Sequence, residues 1–201
     1  MSSISDSATL SIVQYPHPAL RWKSKPIKRV DAPLRDIINH MFELMYRSRG
    51  VGLAANQVDL PLRFFVANPH GDPNEGEGLA FINPVISRPK GLEEAEEGCL
   101  SFPGLFGPVT RAKRIHVEAY GLDGKSISAD LEGMMARIVQ HETDHLDGML
   151  FPDRMSVTNH MAVKEDLEAF ELQHQRLVAT GLIPGESEIE DRLRRWEKQY
   201  C

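Results

Sequence analysis

Gln140-His141-Glu142-Thr143-Asp144-His145-Leu146-Asp147-Gly148 contains the pattern H-E-x-x-H, two histidines four residues apart with a glutamate directly after the first. On a helix, residues i and i+4 lie on one face, with Cβ atoms about 5–6 Å apart, so both imidazoles can bind one metal ion. Glu142 points about 100° further round the helix, where its carboxylate can accept a proton from a water on the ion. The pattern therefore predicts a hydrolytic metal site; the alternative is a surface helix with this order of residues by chance.

The residues around the motif predict that this helix is buried. Ahead of the histidines, apolar side chains recur at spacings of three and four, which is typical of a helix with a wide apolar face: Leu131, Met134, Met135, Ile138 and Val139. Leu146 extends this face, and Gly148 is placed to end the helix as a C-cap glycine. Buried imidazoles need polar partners, and a metal ion would provide them.

A tetrahedral catalytic site needs a third protein ligand and a position left open for water. The third histidine of the metzincin proteases would fall at Phe151, which cannot bind a metal. A downstream glutamate, as in thermolysin, remains an alternative, with candidates at Glu165, Glu168 and Glu171. Upstream, Cys99 lies between a glycine and an apolar leucine, a setting that suits a thiolate presented from a strand edge. Together with His141 and His145 it would form a Cys-His-His set.

Composition and charge exclude several other classes. The chain has 201 residues, of which 41% are hydrophobic and 26% charged, as expected for one ordinary globular domain. A net charge of −6 gives no support for a nucleic-acid-binding body, and no apolar run approaches the roughly 20 residues of a membrane span. The segment Met1–Ser7 lacks the features of a secretory signal, and two cysteines fit a reducing compartment. We therefore expect a cytoplasmic protein.

The periodicity of the remaining chain predicts an α+β fold. Helical spacing of apolar residues indicates a helix over Pro33–Arg49, with Asp31 as its cap. Alternating or apolar runs predict strands at Leu62–Asn68, Leu79–Ile86, Arg114–Tyr120 and Lys125–Ala129. The acidic run from Glu93 to Glu97 is expected to be solvated and to lead into a loop. We expect antiparallel or mixed sheets packed around the central H-E-x-x-H helix, with an N-terminal helix and a helical C-terminal extension.

The C-terminal extension divides into two predicted helices. One covers 157–179 and the other Glu186–Tyr200, separated by Gly181-Leu182-Ile183-Pro184-Gly185. We expect residues 1–155 to form the catalytic part and residues 156–201 to be a helical extension of the same domain.

Three motifs resemble those of the peptide deformylase family. G-x-G-L-A-A-x-Q matches Gly50–Gln57, E-G-C-L-S matches Glu97–Ser101, and Q-H-E-x-D-H matches Gln140–His145, in the order of the family. The similarity covers roughly residues 10–155. It implies a metallohydrolase that removes the N-formyl group from the formyl-methionine of newly made polypeptides and releases formate.

The resemblance also implies a role for individual residues of the reaction. Cys99, His141 and His145 would hold one divalent ion, usually ferrous iron in this family, although zinc, nickel or cobalt can replace it. Glu142 would be the general base and then the acid. The side chain of Gln57 and the backbone N–H of Leu100 would hold the oxyanion.

Substrate binding is implied at a second set of positions. The backbone of Gly50, Val51 and Gly52 would pair with an extended formyl-methionyl peptide, as an added strand. The methionine side chain would enter a pocket drawn from Val51, Glu97, Leu100, Met134 and Ile138.

The sequence departs from the family pattern after Cys99. Phe102 stands where a smaller β-branched residue is expected, and Leu105-Phe106 makes the next segment apolar. An arginine found in many bacterial relatives near Phe106 is absent, and Arg111 is the nearest one downstream. Our hypothesis is that Arg111 pairs with Glu97 and braces the cysteine loop.

Other readings of function and partners stay open. The same ion could serve a general metalloprotease, or a non-catalytic protein could hold a structural zinc, which would normally have four protein ligands. In some relatives a basic C-terminal helix binds the ribosome, and here Arg192, Arg194 and Arg195 are basic. Because this tail is also rich in glutamate, a solvated helix packed on its own chain or on a neighbouring subunit is favoured. The sequence fits a monomer or a homodimer.

Overall fold

The structure is a computed structural model that describes residues 10–201. Its first helix, α1, spans Ala32–Arg47. Asp31 caps it by accepting a hydrogen bond from Leu34 N at 3.1 Å, as the sequence predicts. The apolar face of α1 is buried against the sheet through Leu34, Ile38, Met41, Leu44 and Met45.

Five strands form an antiparallel sheet in the described part of the chain. They are β1 (Gly52–Ala54), β2 (Phe64–Ala67), β3 (Leu79–Cys99), β4 (Phe102–Tyr120) and β5 (Ser126–Glu132). Each strand pairs with the next one in sequence, so the sheet order is β1-β2-β3-β4-β5 and β1 lies at one edge. A parallel contact occurs as an isolated bridge between Lys25 and Leu62. The predicted α+β class is confirmed.

The helix of the H-E-x-x-H motif, α2, spans Gly133–Leu146 and packs on this sheet. Ile138 and Val139 are buried with Phe65, Phe81 and Val117 in one apolar cluster. The helix ends at Leu146 with Asp147 as its C-cap, and Gly148 follows with a φ of 74°, the left-handed geometry expected of a glycine after a helix. Leu131 belongs to β5, so the helix begins later than its apolar pattern suggests.

The strands β3 and β4 are longer than the sequence predicts, and they pair with each other beyond the body of the sheet. Glu93, Glu94 and Glu96 lie within β3 and are exposed. A run of charges in the sequence resembles a loop, whereas here it belongs to a strand whose side chains meet solvent, while Val109 and Arg111 of the paired strand are buried. The ribbon closes in a tight turn at Leu100-Ser101 and places Cys99 at the end of β3.

The C-terminal extension contains three helices: α3 (Val157–Ala162), α4 (Lys164–Ala179) and α5 (Glu186–Tyr200). The single helix expected over 157–179 is therefore interrupted at Val163, and Leu167 and Phe170 of α4 then pack into a cluster with Phe102. The α5 helix has the predicted bounds, and its Tyr200 joins the apolar cluster of α1 and β2. No helix within residues 10–201 is long and apolar enough to cross a membrane.

Candidate active site

The three predicted metal ligands converge. Cys99 ends β3, while His141 and His145 lie one turn apart on α2, and one ligand atom from each falls within 4.8 Å of the others. Cys99 Sγ is 3.3 Å from His145 Nε2. This is the one group of three or more possible ligands found in the described residues. The downstream glutamates do not join it, and Glu171 instead accepts a hydrogen bond from Tyr15 Oη at 2.7 Å.

The surroundings of both histidines fit a bound divalent cation. His141 Nδ1 lies 3.0 Å from Glu97 Oε2, which leaves its Nε2 for the metal, as second-sphere carboxylates do in many metal sites. Burial lowers the pKa of His141, but hydrogen bonds with Cys99 and Glu97 outweigh it and raise that pKa to about 10. These partners favour positive charge at His141, and a metal ion bound there would replace the proton on its Nε2. Burial lowers the pKa of His145 well below its ordinary value, so its ring is neutral, as a metal ligand must be.

Glu97 is the centre of a buried ionic network. Its carboxylate accepts hydrogen bonds from Arg111 Nε at 2.6 Å and Nη2 at 2.9 Å, and from Arg137 Nη1 at 2.6 Å. Burial raises the pKa of Glu97, but its bonds to His141 and Arg111 outweigh burial and hold that pKa well below the usual range. The predicted pairing of Arg111 with Glu97 is confirmed.

Asp144 extends this network from within the motif helix. Its Oδ2 accepts a hydrogen bond from Arg111 Nη1 at 2.7 Å, and its Oδ1 accepts one from Arg154 Nη2 at 2.6 Å. Sequence reasoning missed Asp144, Arg137 and Arg154. The position of Asp144 between the two histidines was a signal for it. Arg137 lies on α2 itself and Arg154 in the turn that follows it, but neither stands in a motif that indicates a carboxylate partner.

Glu142 lies buried beside β1. Its Oε1 contacts Gly52 so closely that a Cβ at that position would collide with it. Its Oε2 is buried and has no hydrogen-bond partner among the described residues. Burial raises the pKa of Glu142 to about 7, against the lowering effect of His141 and Arg111. A carboxyl group with one unpartnered oxygen and a pKa near neutrality is suited to exchange protons with a reactant.

Gln57 and Leu100 lie on either side of the cysteine. Gln57 is in a 3-10 turn, Ala55–Val58, directly after β1, and its Nε2 is 3.3 Å from Cys99 Sγ. Leu100 follows Cys99 in the turn of the ribbon, and its side chain packs over Gly50, where a Cβ would lie 2.7 Å from Leu100 Cδ1. Both predicted oxyanion donors are thus next to Cys99, a predicted metal ligand, Gln57 in space and Leu100 in sequence.

The residues predicted to bind substrate have mixed surroundings. Gly50, Val51 and Gly52 lead into the edge strand β1, and Ile138 is buried on α2. Met134, at the start of α2, is 58% exposed. The carboxylate of Glu97 is hydrogen-bonded to Arg111, Arg137 and His141. The methionine pocket therefore stays a prediction at all five positions, Val51, Glu97, Leu100, Met134 and Ile138.

The two phenylalanines that depart from the family pattern have different places. Phe102 is buried and stacks on Tyr15 with ring centroids 5.0 Å apart, and its edge contacts are with Phe151 and Phe170. It therefore joins the extension to the body of the protein. Phe106 is exposed on β4, with its ring over Gly98.

Gln140 fixes the motif helix to the sheet. Its Oε1 accepts a hydrogen bond from Ala112 N at 3.0 Å, and its Nε2 donates to Ala112 O at 3.0 Å. A side-chain amide thus pairs with β4 as a neighbouring strand would. These two hydrogen bonds fix the position of α2 along the strand β4, which pairs with the strand that carries Cys99.

Comparisons with known proteins agree with this geometry. A family model described as polypeptide deformylase matches residues 9–161. A peptide deformylase of Rhodopirellula baltica is 48% identical over 191 residues, which cover 95% of each chain. Peptide deformylase 1B, chloroplastic/mitochondrial, of Arabidopsis thaliana is 41% identical over 92% of this chain and 67% of its own. A plant peptide deformylase crystal structure superposes with a TM-score of 0.81 at 40% identity, over 89% of this chain and 96% of the other.

The family's three motifs meet in space around Cys99, His141 and His145, and the match extends over most of the chain. The chain therefore belongs to the polypeptide deformylase family and is a hydrolase that removes the N-formyl group from nascent peptides.

Proposed function

We propose that deformylation takes place at Cys99, His141 and His145 with one bound divalent ion, and that Glu142, Gln57 and Leu100 carry the reaction. One observation supports this assignment above the others. A buried carboxylate oxygen without a protein partner, Glu142 Oε2, belongs to the same helical turn as the ligands of a Cys-His-His set.

The resident ion is proposed to be ferrous iron, with zinc, nickel or cobalt able to replace it. Three protein ligands leave a coordination position for a reactant, in contrast to a structural zinc site with four. When bound, such an ion activates water and polarises the carbonyl oxygen of the formyl group. Metal analysis of protein purified without oxygen tests the identity of the ion.

Glu142 is proposed to move the protons of the reaction. As a carboxylate, it accepts a proton from the attacking water. As the acid that results, it delivers this proton to the departing α-amino group of methionine, and formate is released. Its raised pKa suits both halves of the exchange, because a group near neutrality is a usable base and a usable acid at the same pH.

The negative charge that develops on the formyl oxygen is proposed to meet two N–H donors, Gln57 Nε2 and the backbone N–H of Leu100. Donors already in place stabilise such charge without reorganisation during the reaction. A formyl carbon carries hydrogen where other acyl groups carry a side chain. A close fit at this point would thus admit formyl groups and reject larger acyl groups.

The peptide is proposed to lie along Gly50, Val51 and Gly52 as an additional strand. The strand β1 pairs with β2 on one side, and among the described strands none pairs with its other side. An edge of this kind provides free backbone groups to an extended peptide. The methionine side chain would then contact residues drawn from Val51, Glu97, Leu100, Met134 and Ile138.

The test is release of formate from a formyl-methionyl peptide by the metal-loaded protein. The same peptide without its formyl group, and casein, are the controls. Formate release without cleavage of casein is expected. Cleavage of casein would favour the metalloprotease alternative, and inactivity on all three would favour a structural metal.

Several wider assignments are also proposals. Residues 156–201 are proposed to belong to the same domain as residues 1–155, because α5 contributes Tyr200 to the main apolar cluster. A ribosome contact would use Arg194, Arg195 and Lys198, which are exposed on α5. A cytoplasmic location, and the choice between monomer and homodimer, stay predictions.

A further inference from the structure

We propose that Ser101 is a positioning residue, whose hydroxyl holds the Gln57 amide so that one N–H of Nε2 stays directed at the reacting oxygen. The inference rests on the proposed role of Gln57 as an oxyanion donor. It adds to that role an anchor that acts through Gln57 and does not touch the substrate.

The orientation of the Gln57 amide is fixed by the backbone. Gln57 Oε1 accepts a hydrogen bond from Ala54 N at 2.9 Å. Since a backbone N–H can only donate, the oxygen must lie on that side and Nε2 on the other. The two hydrogens of Nε2 therefore point away from β1 and towards the turn that carries Cys99.

Those two hydrogens have one acceptor each. Gln57 Nε2 is 3.2 Å from Ser101 Oγ and 3.3 Å from Cys99 Sγ. Gln57 and Ser101 are both almost wholly buried, so water does not compete for the bond between them. Oxygen is a strong acceptor and sulfur a weak one. The hydrogen bond to Ser101 is hence the one that persists when substrate binds. The other N–H can exchange its acceptor, from Cys99 Sγ to a carbonyl oxygen that arrives beside it.

Three successive residues at the turn of the ribbon thus have separate proposed roles in the reaction. Cys99 supplies the sulfur ligand, the Leu100 N–H is a proposed oxyanion donor, and Ser101 anchors the second donor. The backbone N–H of Ser101 lies 3.4 Å from Cys99 Sγ, which fixes the geometry of the turn around the sulfur. Only the side-chain hydroxyl of Ser101 is left for Gln57, and it is the group that an alanine substitution removes.

The experiment is a double-mutant cycle on the metal-loaded, full-length enzyme, with kcat and KM for a formyl-methionyl peptide. Ser101→Ala should lower kcat by about 10–100-fold with little change in KM, as losses of such supporting contacts usually do. Gln57→Ala should lower kcat by about 100-fold or more, because an oxyanion donor is lost. In the double variant the Ser101 substitution should cost nothing further, since the group through which it acts is gone.

A second readout does not depend on turnover. In enzyme loaded with cobalt, the sulfur-to-cobalt charge-transfer band reports the hydrogen bonds on Cys99 Sγ. Ser101→Ala should shift this band in the wild-type background, where the freed amide changes its bond to the sulfur. The same substitution should leave the band in place when Gln57 is already alanine. A shift of equal size in both backgrounds would overturn the proposal.

The matched control is Ser24→Ala, which removes a similarly buried hydroxyl that donates to Asn56 Oδ1 at 2.7 Å. Its kcat should equal that of the wild type, and a loss equal to that of Ser101→Ala would show a general effect of packing and overturn the proposal. Equal losses from Ser101→Ala in both backgrounds would do the same. Wild-type kcat in Ser101→Ala, with Gln57→Ala impaired, would overturn the role of Ser101 alone. Wild-type kcat in Gln57→Ala would overturn the oxyanion role and the anchor together.

Discussion

Glu142 keeps its position next to β1 because its neighbour there has no side chain. The Oε1 atom of Glu142 occupies the space that a Cβ of Gly52 would need. The absence of a side chain at Gly52 allows the Glu142 carboxylate to approach the backbone of β1. It would also allow a substrate peptide to approach the same backbone. The first of these contacts can be tested without substrate-binding arguments.

Gly52→Ala should displace the Glu142 carboxylate and lower kcat by about 100-fold, the lower part of the range for a general acid–base group. Because none of the ligands is touched, the metal content should stay that of the wild type. Formate release and metal analysis on the same preparation measure both quantities. Gly185→Ala is the control, since a methyl group there meets open space. Unaltered turnover in Gly52→Ala would mean that the carboxylate tolerates displacement.

Glu142→Ala should retain its metal and lose turnover. The carboxylate is not one of the three ligands, so its removal leaves the ion bound, while the proton transfers lose their carrier. A fall in kcat of about 1,000-fold is expected. Formate release by metal-matched samples is the measurement, and full activity of the variant would contradict the mechanism.

At the level of elements, buried ion pairs join the ribbon to the motif helix. Glu97 comes from β3, Arg111 from β4 and Asp144 from α2, and Arg154 joins from the turn after α2. Each carboxylate accepts hydrogen bonds from two arginines, so the charges are compensated within the network. Such a network holds His141 through Glu97, at the point where two elements must align to one ion.

Arg111→Ala should destabilise the protein by about 3 kcal/mol, because it leaves part of two buried carboxylates uncompensated. The loss should fall at the lower end of the range for such changes, since Arg137 and Arg154 remain. Urea unfolding of the metal-loaded protein measures it. Arg114→Ala, exposed on the same strand, should change the free energy of unfolding by less than about 0.5 kcal/mol. An Arg111→Ala variant with unchanged stability and activity would refute the bracing role.

The sequence was sufficient for the elements whose chemistry is local. The cap at Asp31 and the glycine at Gly148 act within a few residues, and both were predicted correctly. The apolar spacing of α2 was correct for Ile138 and Val139, although the helix begins only after Leu131. The length of β3 and β4 was not predicted, because the acidic residues around Glu94 resemble a loop unless the pairing strand is known. Of the partners of Glu97 only Arg111 was predicted, because Arg137 and His141 reach it from another element and the acidic residues beside it are exposed.

At the scale of the whole molecule, the C-terminal helices pack against the N-terminal segment. His17 caps a 3-10 turn through its Nδ1, which accepts a bond from Ala19 N at 3.3 Å, and it faces His174 of α4. Burial lowers the pKa of His17 to about 4, with further lowering by the positive charges of Arg192 and His174. The interface therefore prefers a neutral imidazole.

This preference makes stability depend on pH. In the unfolded chain a histidine titrates near 6.5, so between pH 6.5 and 4 the unfolded state binds a proton that the folded state does not. The stabilisation is fully present above pH 6.5 and is lost as the pH falls towards 4. Between pH 7 and 5 the wild type should lose roughly 2 kcal/mol more than His17→Asn. Urea unfolding at both pH values tests this, and identical losses would contradict it.

Tyr200 connects the last helix to the first. It is 2% exposed, and its hydroxyl donates to Asp31 Oδ1 at 3.1 Å. Tyr200→Ala should cost about 3–5 kcal/mol, as for other large aromatic truncations in a core. Thermal unfolding measures the effect, with Arg195→Ala on the exposed side of α5 as the control. A melting temperature equal to that of the control would show that α5 is only loosely attached, which would also contradict the one-domain proposal.

The sulfur of Cys99 reaches the candidate metal centre from the end of β3, and the two ring nitrogens reach it from α2, on which His141 lies 42 residues after Cys99. An ion bound by both would link the strand to the helix. Its contribution to the free energy of unfolding would increase with the concentration of free metal in solution. At a hundredfold excess over the dissociation constant this contribution is about 2.7 kcal/mol. The melting temperature would then depend on the free metal concentration of the buffer. A chelating agent would lower it by removing the ion, with no change to the polypeptide itself.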